Sequence, residues 1–181
     1  IFQSHKSYKN SYSNQQKRSI FDLYLKKRMQ KKIELSSPHL SGEEIKYIQE
    51  ALDTNWVAPI GPNIDAFENS LEFYFGEHKK VAVLNSGTAA LHVALILAGV
   101  SKNDEVLCQS FTFAATANPI LYIGAIPVFI DSEKETYNIC PVLLEKAVVD
   151  RINTGKKPKA VVVMHSYGMP AKMNEITTIC K

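Results

Sequence analysis

The feature that most constrains this chain is a rhythm that starts near residue 80, where short, nearly continuous apolar runs alternate with segments of helical period. Residues 81–85, Glu105–Gln109, Ile126–Ile130 and residues 160–164 read as strands. Residues 88–98, 114–123, 142–152 and 172–180 read as helices, with Gly99 and Gly124 as stops and Pro119 starting or interrupting the second of them. Strand, helix, strand, helix in this order implies parallel strands joined by right-handed crossovers. Strands apolar along both faces are covered by helices on both sides. The expectation is therefore an α/β chain with a mostly parallel sheet between helical layers.

Two further helices are expected upstream. Ser41-Gly42-Glu43-Glu44 spells a capping box, in which the serine hydroxyl accepts from the third helical amide while the glutamate reaches back. Ile45, Ile48 and Leu52 then recur at helical spacing until Asn55-Trp56-Val57-Ala58-Pro59-Ile60-Gly61-Pro62 breaks the pattern. Ile64, Phe67, Leu71 and Phe75 mark a second amphipathic helix, ended by Gly76.

Composition excludes several classes. The longest strongly apolar stretch, residues 89–100, contains His92 and falls well short of the ~20 residues that cross a bilayer. Cys108, Cys140 and Cys180 are odd in number, far apart and without a C-x-x-C spacing, so neither a disulfide framework nor a zinc site is expected, and a reducing cytoplasmic setting fits. The net charge of +3 is unevenly spread: residues 1–32 carry nine bases against the single acid Asp22, and the remainder carries 12 bases against 17 acids. This basic leader, with Phe2, Tyr8, Tyr12, Phe21 and Tyr24, could touch nucleic acid or anionic lipid, but loose basic ends are ordinarily solvated tails, so no nucleic-acid or membrane partner is expected. Residues 1–28 are rich in Ser, Asn, Gln and Lys without an apolar period. They read as disordered upstream sequence, with the natural start at Met29 and one domain over residues 29–181.

In open α/β sheets, ligands sit beyond the carboxyl ends of the strands. Three junctions there could carry chemistry. In Asn85-Ser86-Gly87-Thr88-Ala89-Ala90-Leu91, exposed amides at a helix start, a glycine and two hydroxyls could cradle a phosphate; Ser86 could equally be a helix cap alone. In Ser110-Phe111-Thr112-Phe113-Ala114-Ala115-Thr116, an aromatic could stack on a flat heterocycle, or both phenylalanines could be core. In His165-Ser166-Tyr167-Gly168-Met169-Pro170, the histidine could bind a cofactor, act as acid or base, or be structural. Asp131, after the third strand, shares their face and could simply cap its turn. No G-x-G-x-x-G or G-x-x-x-x-G-K-[ST] motif is present, so neither a dinucleotide fold nor a nucleotide triphosphatase is supported.

Seven segments, taken together and in order, resemble the N-terminal half of the DegT-type sugar aminotransferases. They are Ser36-Ser37-Pro38-His39-Leu40-Ser41-Gly42, Asn55 to Pro62, Phe67-Glu68, Ser86-Gly87-Thr88-Ala89-Ala90-Leu91-His92, Thr112 to Thr116, Gly124 to Asp131, and His165-Ser166-Tyr167-Gly168. The resemblance covers essentially residues 31–181. Within the family it looks closest to enzymes that aminate C4 of a UDP-linked 4-keto-6-deoxy N-acetyl sugar on the way to bacillosamine-type sugars. It implies the large domain of the aspartate aminotransferase fold, PLP fold type I, and pyridoxal 5'-phosphate as cofactor. Glutamate is implied as amino donor, a nucleotide-linked keto sugar as acceptor, and a homodimer as the full-length form.

The same resemblance implies that Ser86, Gly87 and Thr88 hold the cofactor phosphate, Phe113 stacks on its ring and His165 lies near its pocket. Gly61 and Pro62 would lie near the sugar-nucleotide site, with Trp56 as packing. In the family the Schiff-base lysine and the acid that keeps the ring nitrogen protonated follow the segment matching His165 to Lys181. No lysine in residues 31–181 takes that place, and Lys172 and Lys181 fall on or at the end of a solvent-facing helix. The chain is thus expected to be a truncated copy, inactive alone, with no catalytic residue of its own. A histidine in place of the distal lysine would instead make a sugar deoxygenase, and a degenerate copy would be a phosphate-binding module only. A sheet without its later strands leaves edges and apolar faces uncovered. Residues 29–181 alone should therefore aggregate or be marginally stable, and a soluble monomer with a cooperative thermal transition would contradict this.

Overall fold

The computed structural model describes Asp22, residues 36–76 and residues 78–181. The aromatics of the leader, the boundary between residues 28 and 29, and Met29 lie outside the described residues. The chain divides into two units, one ending at Asn55 and the other running from Trp56 to Lys181.

In the first unit a helix, α1, spans Glu44–Asp53. Glu44 reaches back as expected: its carboxylate accepts from the Ser41 amide at 2.7 Å and the Gly42 amide at 2.8 Å. The other half of the capping box is not made. The Ser41 hydroxyl donates to Glu44 at 3.0 Å and accepts from the Glu43 amide at 3.2 Å, and Glu43 stands at the cap position. The serine is therefore spent on the turn before the helix and not on its third amide. Led by the Ser41 backbone amide, these donors hold the Glu44 carboxyl down at about 2, against an ordinary 4.5.

The second unit opens with α2, Pro62–Phe75, and α3, Gly87–Leu97. Pro62 begins α2 instead of belonging to the break before it, because a first-turn residue needs no amide hydrogen and proline's φ already suits a helix. The strand β1, Glu105–Gln109, leads through a 3₁₀ turn, Ala114–Thr116, into the short helix α4, Asn118–Tyr122. Pro119 in the first turn separates these two pieces of what the sequence presents as one helix, and Gly124 at φ 78° closes it. Then come β2, Ile126–Ile130; α5, Pro141–Asn153; β3, Ala160–Val162; a 3₁₀ turn, Ser166–Gly168; and α6, Met173–Ile179.

The sheet is parallel in the order β2-β1-β3, with Leu107 opposite both Val128 and Val161. Because successive side chains of a strand point to opposite faces, β1 feeds two cores. Val106 and Cys108 pack with Leu95, Val100, Ile120 and Ala125, under α3 and α4. Leu107 packs with Ile130, Ile139, Leu144, Ala171 and Ile176, under α5 and α6. The crossover from β1 out to β2 and the crossover from β2 back to β3 run in opposite directions. They lie on opposite faces, as right-handed connections require. At its amino end β1 begins with buried Glu105, 3.7 Å from Arg151 and 3.8 Å from Lys156.

Two strand expectations are corrected. Residues 81–85 join no ladder among the described residues. The Val81 and Val83 amides instead donate to the carboxylates of Glu72, at 3.1 Å, and Glu68, at 2.8 Å. Those acids stand four apart on one face of α2, matching amides two apart on the segment. The last strand ends at Val162, short of Met164, because the Met164 amide is taken by the Gln109 side chain at 3.2 Å. Much apolar surface is left open. Neither α1 nor α2 buries a residue, and α3 buries only Leu95.

The Glu44 contact can be tested by titration. The carboxylate form makes these bonds, so their contribution is complete above 4.5 and is lost as pH falls toward 2. The Glu44 carboxyl resonance should titrate with a midpoint near 2, and Ser41→Ala should move it upward; a midpoint at the ordinary value would refute the reach-back.

Candidate functional site

The loops after β1, β2 and β3 leave the same edge of the sheet. Helix α3 presents its start to that edge: its far end, at Gly99, lies against Lys159, and a Cβ placed on Gly99 would be 3.5 Å from the lysine Cε. Lys159 immediately precedes β3, so α3 runs antiparallel to the strands. Its eleven residues span about 16 Å, the length of a five-residue strand.

Ser86 takes its capping role. It is extended, at φ −161° and ψ 155°, and its hydroxyl accepts from the Ala89 amide at 3.2 Å, so it caps α3. Among the described residues the Gly87 and Thr88 amides have no acceptor. A Cβ at Gly87 would meet nothing within 4 Å. The cap is thus used while the first amides stay free, and the helix dipole adds positive potential there. Those features fit a phosphate dianion.

Phe113 is 78% exposed and belongs to neither apolar core of the described residues. It precedes the 3₁₀ turn Ala114–Thr116, which packs against α3. Its loop is fixed by Thr112, whose hydroxyl shares a 2.7 Å hydrogen bond with Thr116 and donates to the Met164 sulfur at 3.0 Å. Phe111 is half-exposed and lies 5.9 Å from the Tyr137 ring.

His165 is exposed, and its Nδ1 accepts from the Ala171 amide at 2.9 Å. That bond serves the loop and leaves the proton of the neutral ring on Nε2. Asp131 takes its bland role, accepting from the Ser132 amide at 2.8 Å. Gly61, at φ 144°, caps α2, and a Cβ there would stand 3.1 Å from the Trp56 ring, so Trp56 does pack on this turn. Trp56, Gly61 and Pro62 line a shallow hollow of about 70 Å³. Lys172 lies just before α6, paired with Glu135 at 3.0 Å and Glu133 at 3.8 Å. Cys108, Cys140 and Cys180 are free; burial pushes the Cys108 thiol up to about 11. No cluster that could hold a metal ion is found among the described residues.

Sequence reasoning passed over Gln109 and Asn138. Both are buried, and both tie together the loops at this edge. The signal was present for Gln109, a long polar side chain closing a strand that is otherwise apolar over Val106, Leu107 and Cys108. For Asn138 no local signal exists.

Comparison with known proteins bears on the family of the chain. Residues 38–181 match the DegT/DnrJ/EryC1/StrS aminotransferase family. EpsN of Bacillus subtilis (strain 168), assigned as a pyridoxal phosphate-dependent aminotransferase, is 53% identical over 152 residues, 84% of this chain and 39% of EpsN. GDP-perosamine synthase of Escherichia coli O157:H7 is 36% identical over 152 residues, 83% of this chain and 40% of the synthase. The fold superposes on Spr1654 of Streptococcus pneumoniae, assigned as a sugar aminotransferase and solved in its PMP form, with a TM-score of 0.69. The identity is 27%, covering 82% of this chain and 35% of that one. The chain spans about two fifths of the length of the curated relatives it matches. The family uses pyridoxal phosphate, and its sugar aminotransferases have PLP fold type I. With the family matched over most of its length, the chain belongs to the DegT/DnrJ/EryC1/StrS aminotransferase family.

Proposed function

We propose that the complete protein carrying this chain is a pyridoxal-phosphate-dependent aminotransferase acting on a nucleotide-linked keto sugar, in the biosynthesis of a cell-surface polysaccharide or glycan. Its acceptor is a UDP-linked 4-keto-6-deoxy N-acetyl sugar, its amino donor is glutamate, and it works as a cytoplasmic homodimer. The observation that carries this reading is the start of α3, where free amides and an open glycine stand beside a loop that exposes Phe113.

When bound, pyridoxal phosphate supplies a carbonyl that takes up an amino group and a conjugated ring that accepts the electrons released at the neighbouring carbon. The residues of this chain bind and orient. Gly87 and Thr88 donate their amides to the phosphate, the Thr88 hydroxyl adds a third donor, and Ser86 keeps the helix start rigid through Ala89. The exposed aromatic face of Phe113 would hold the flat ring by stacking. His165 offers the Nε2 proton to an oxygen acceptor, its own orientation set by the Ala171 amide. Gly61 and Pro62, at the start of α2, lie toward the sugar nucleotide. A lysine and an acid acting on the cofactor would have to come from outside residues 31–181.

The test uses the purified complete gene product. Reconstituted with pyridoxal phosphate, it should show the cofactor's visible absorbance, release about one equivalent of 2-oxoglutarate per site from glutamate alone, and release it catalytically only when a keto sugar nucleotide is supplied. The UDP-linked sugar should react faster than its GDP-linked counterpart; the reverse order would overturn the acceptor assignment. Phe113→Ala and Gly87→Val should each weaken cofactor binding about tenfold or more, a loss of ~1.4 kcal/mol. Unchanged dissociation constants in both variants would overturn the site.

A further inference from the structure

Three polar side chains with almost no solvent exposure, Gln109 at 0%, Asn138 at 1% and Ser166 at 3%, meet just beneath the carboxyl edge. Gln109 Nε2 donates to the Phe111 carbonyl at 2.9 Å and to Ser166 Oγ at 3.3 Å, while its Oε1 accepts from the Met164 amide at 3.2 Å. Asn138 Oδ1 accepts from the Ser166 amide at 2.8 Å, and its Nδ2 donates to the Met169 carbonyl and to Thr136 Oγ1, each at 2.9 Å. Ser166 is thus held through its hydroxyl from the strand β1 and through its amide from the loop that follows β2.

An apolar residue at these places would pack without the cost of desolvating an amide. What the amides add is register between three loops that no backbone ladder connects: the one carrying Phe111 and Phe113, the one carrying Tyr137, and the one carrying His165. Two non-glycine residues, Tyr137 at φ 59° and Tyr167 at φ 51°, are held in the left-handed region directly beside Asn138 and Ser166. Such conformations persist where surrounding bonds over-determine them. A network satisfied at all of these contacts is rigid, and one missing member leaves its partners buried and unpaired.

We infer that Gln109, Ser166 and Asn138 form a positioning relay that fixes the Phe113 loop and the His165 loop relative to each other, and so sets the plane of the cofactor ring. The inference rests on the pyridoxal-phosphate reading of the site. Among the described residues none of the three hydrogen-bonds to Ser86, Gly87 or Thr88, so the relay acts on the ring and not on the phosphate.

The experiment uses the complete gene product with Gln109→Leu, Ser166→Ala and the double replacement. In the form free of cofactor, amide exchange over residues 111–113 and 164–169 should rise about tenfold in each single variant, with α5 unchanged. Pyridoxal phosphate should bind about tenfold more weakly and lose visible dichroism, while competition by inorganic phosphate stays as in the parent. The double variant should be no worse than the stronger single one, because both act through one contact. A lowered melting temperature with unchanged exchange and dichroism would overturn the relay, as would additive effects. Should Gln109→Leu fail to fold, Ser166→Ala, which removes only an oxygen, decides alone. If the parent protein binds no pyridoxal phosphate, the functional reading fails while the exchange measurement still decides whether the loops are coupled.

Discussion

Everything in the second unit is referred to β1. This strand is bonded on both sides, to β2 over its whole length and to β3 over three residues, and it is buried from Glu105 to Gln109. Its pleat sends Val106 and Cys108 into one core and Leu107 into the other, so the helices on the two faces are registered against the same five residues. Its last residue ends the sheet, because the Gln109 amide group takes up the Met164 amide that would otherwise continue the ladder with β3. From that point the chain is loop, and loops at the carboxyl end of a parallel sheet are where ligand-binding residues gather.

The helix α3 contributes its start to this edge for a simple geometric reason. It leads directly into the amino end of β1, so its own amino end lies toward the carboxyl side. Free amides and strand-end loops are therefore delivered to one place by topology alone. The local sequence then decides what that place can hold. Gly87 leaves room for close approach, Ser86 stiffens the turn, and Thr112 pins the loop that exposes Phe113.

The segment 81–85 shows the other side of the same logic. Apolar and β-branched, it has the composition of a strand, yet its amides at Val81 and Val83 are bonded by acids from α2. Backbone donors need acceptors, and carboxylates spaced one helical turn apart satisfy them where no neighbouring strand stands among the described residues. The exposed apolar side chains of α2 and α3, Phe73 and Leu97 foremost, are surfaces of the same kind, suited to cover by further protein.

Periodicity and punctuation in the sequence determined a good deal by themselves. The parallel α/β class, the strands Glu105–Gln109 and Ile126–Ile130, the stops at Gly99 and Gly124, and the family were all legible there. These are local properties, written in residue spacing, or motifs whose order is preserved along the chain. Tertiary structure alone decided that Phe113 is exposed and Val106 buried, since both are simply apolar in sequence. It also decided that Ser41 serves the turn before α1, and that Gln109, Asn138 and Ser166 meet although 57 residues separate the first from the last. The physical reason is that a hydrogen bond reads distance in space, and the sequence records only distance along the chain.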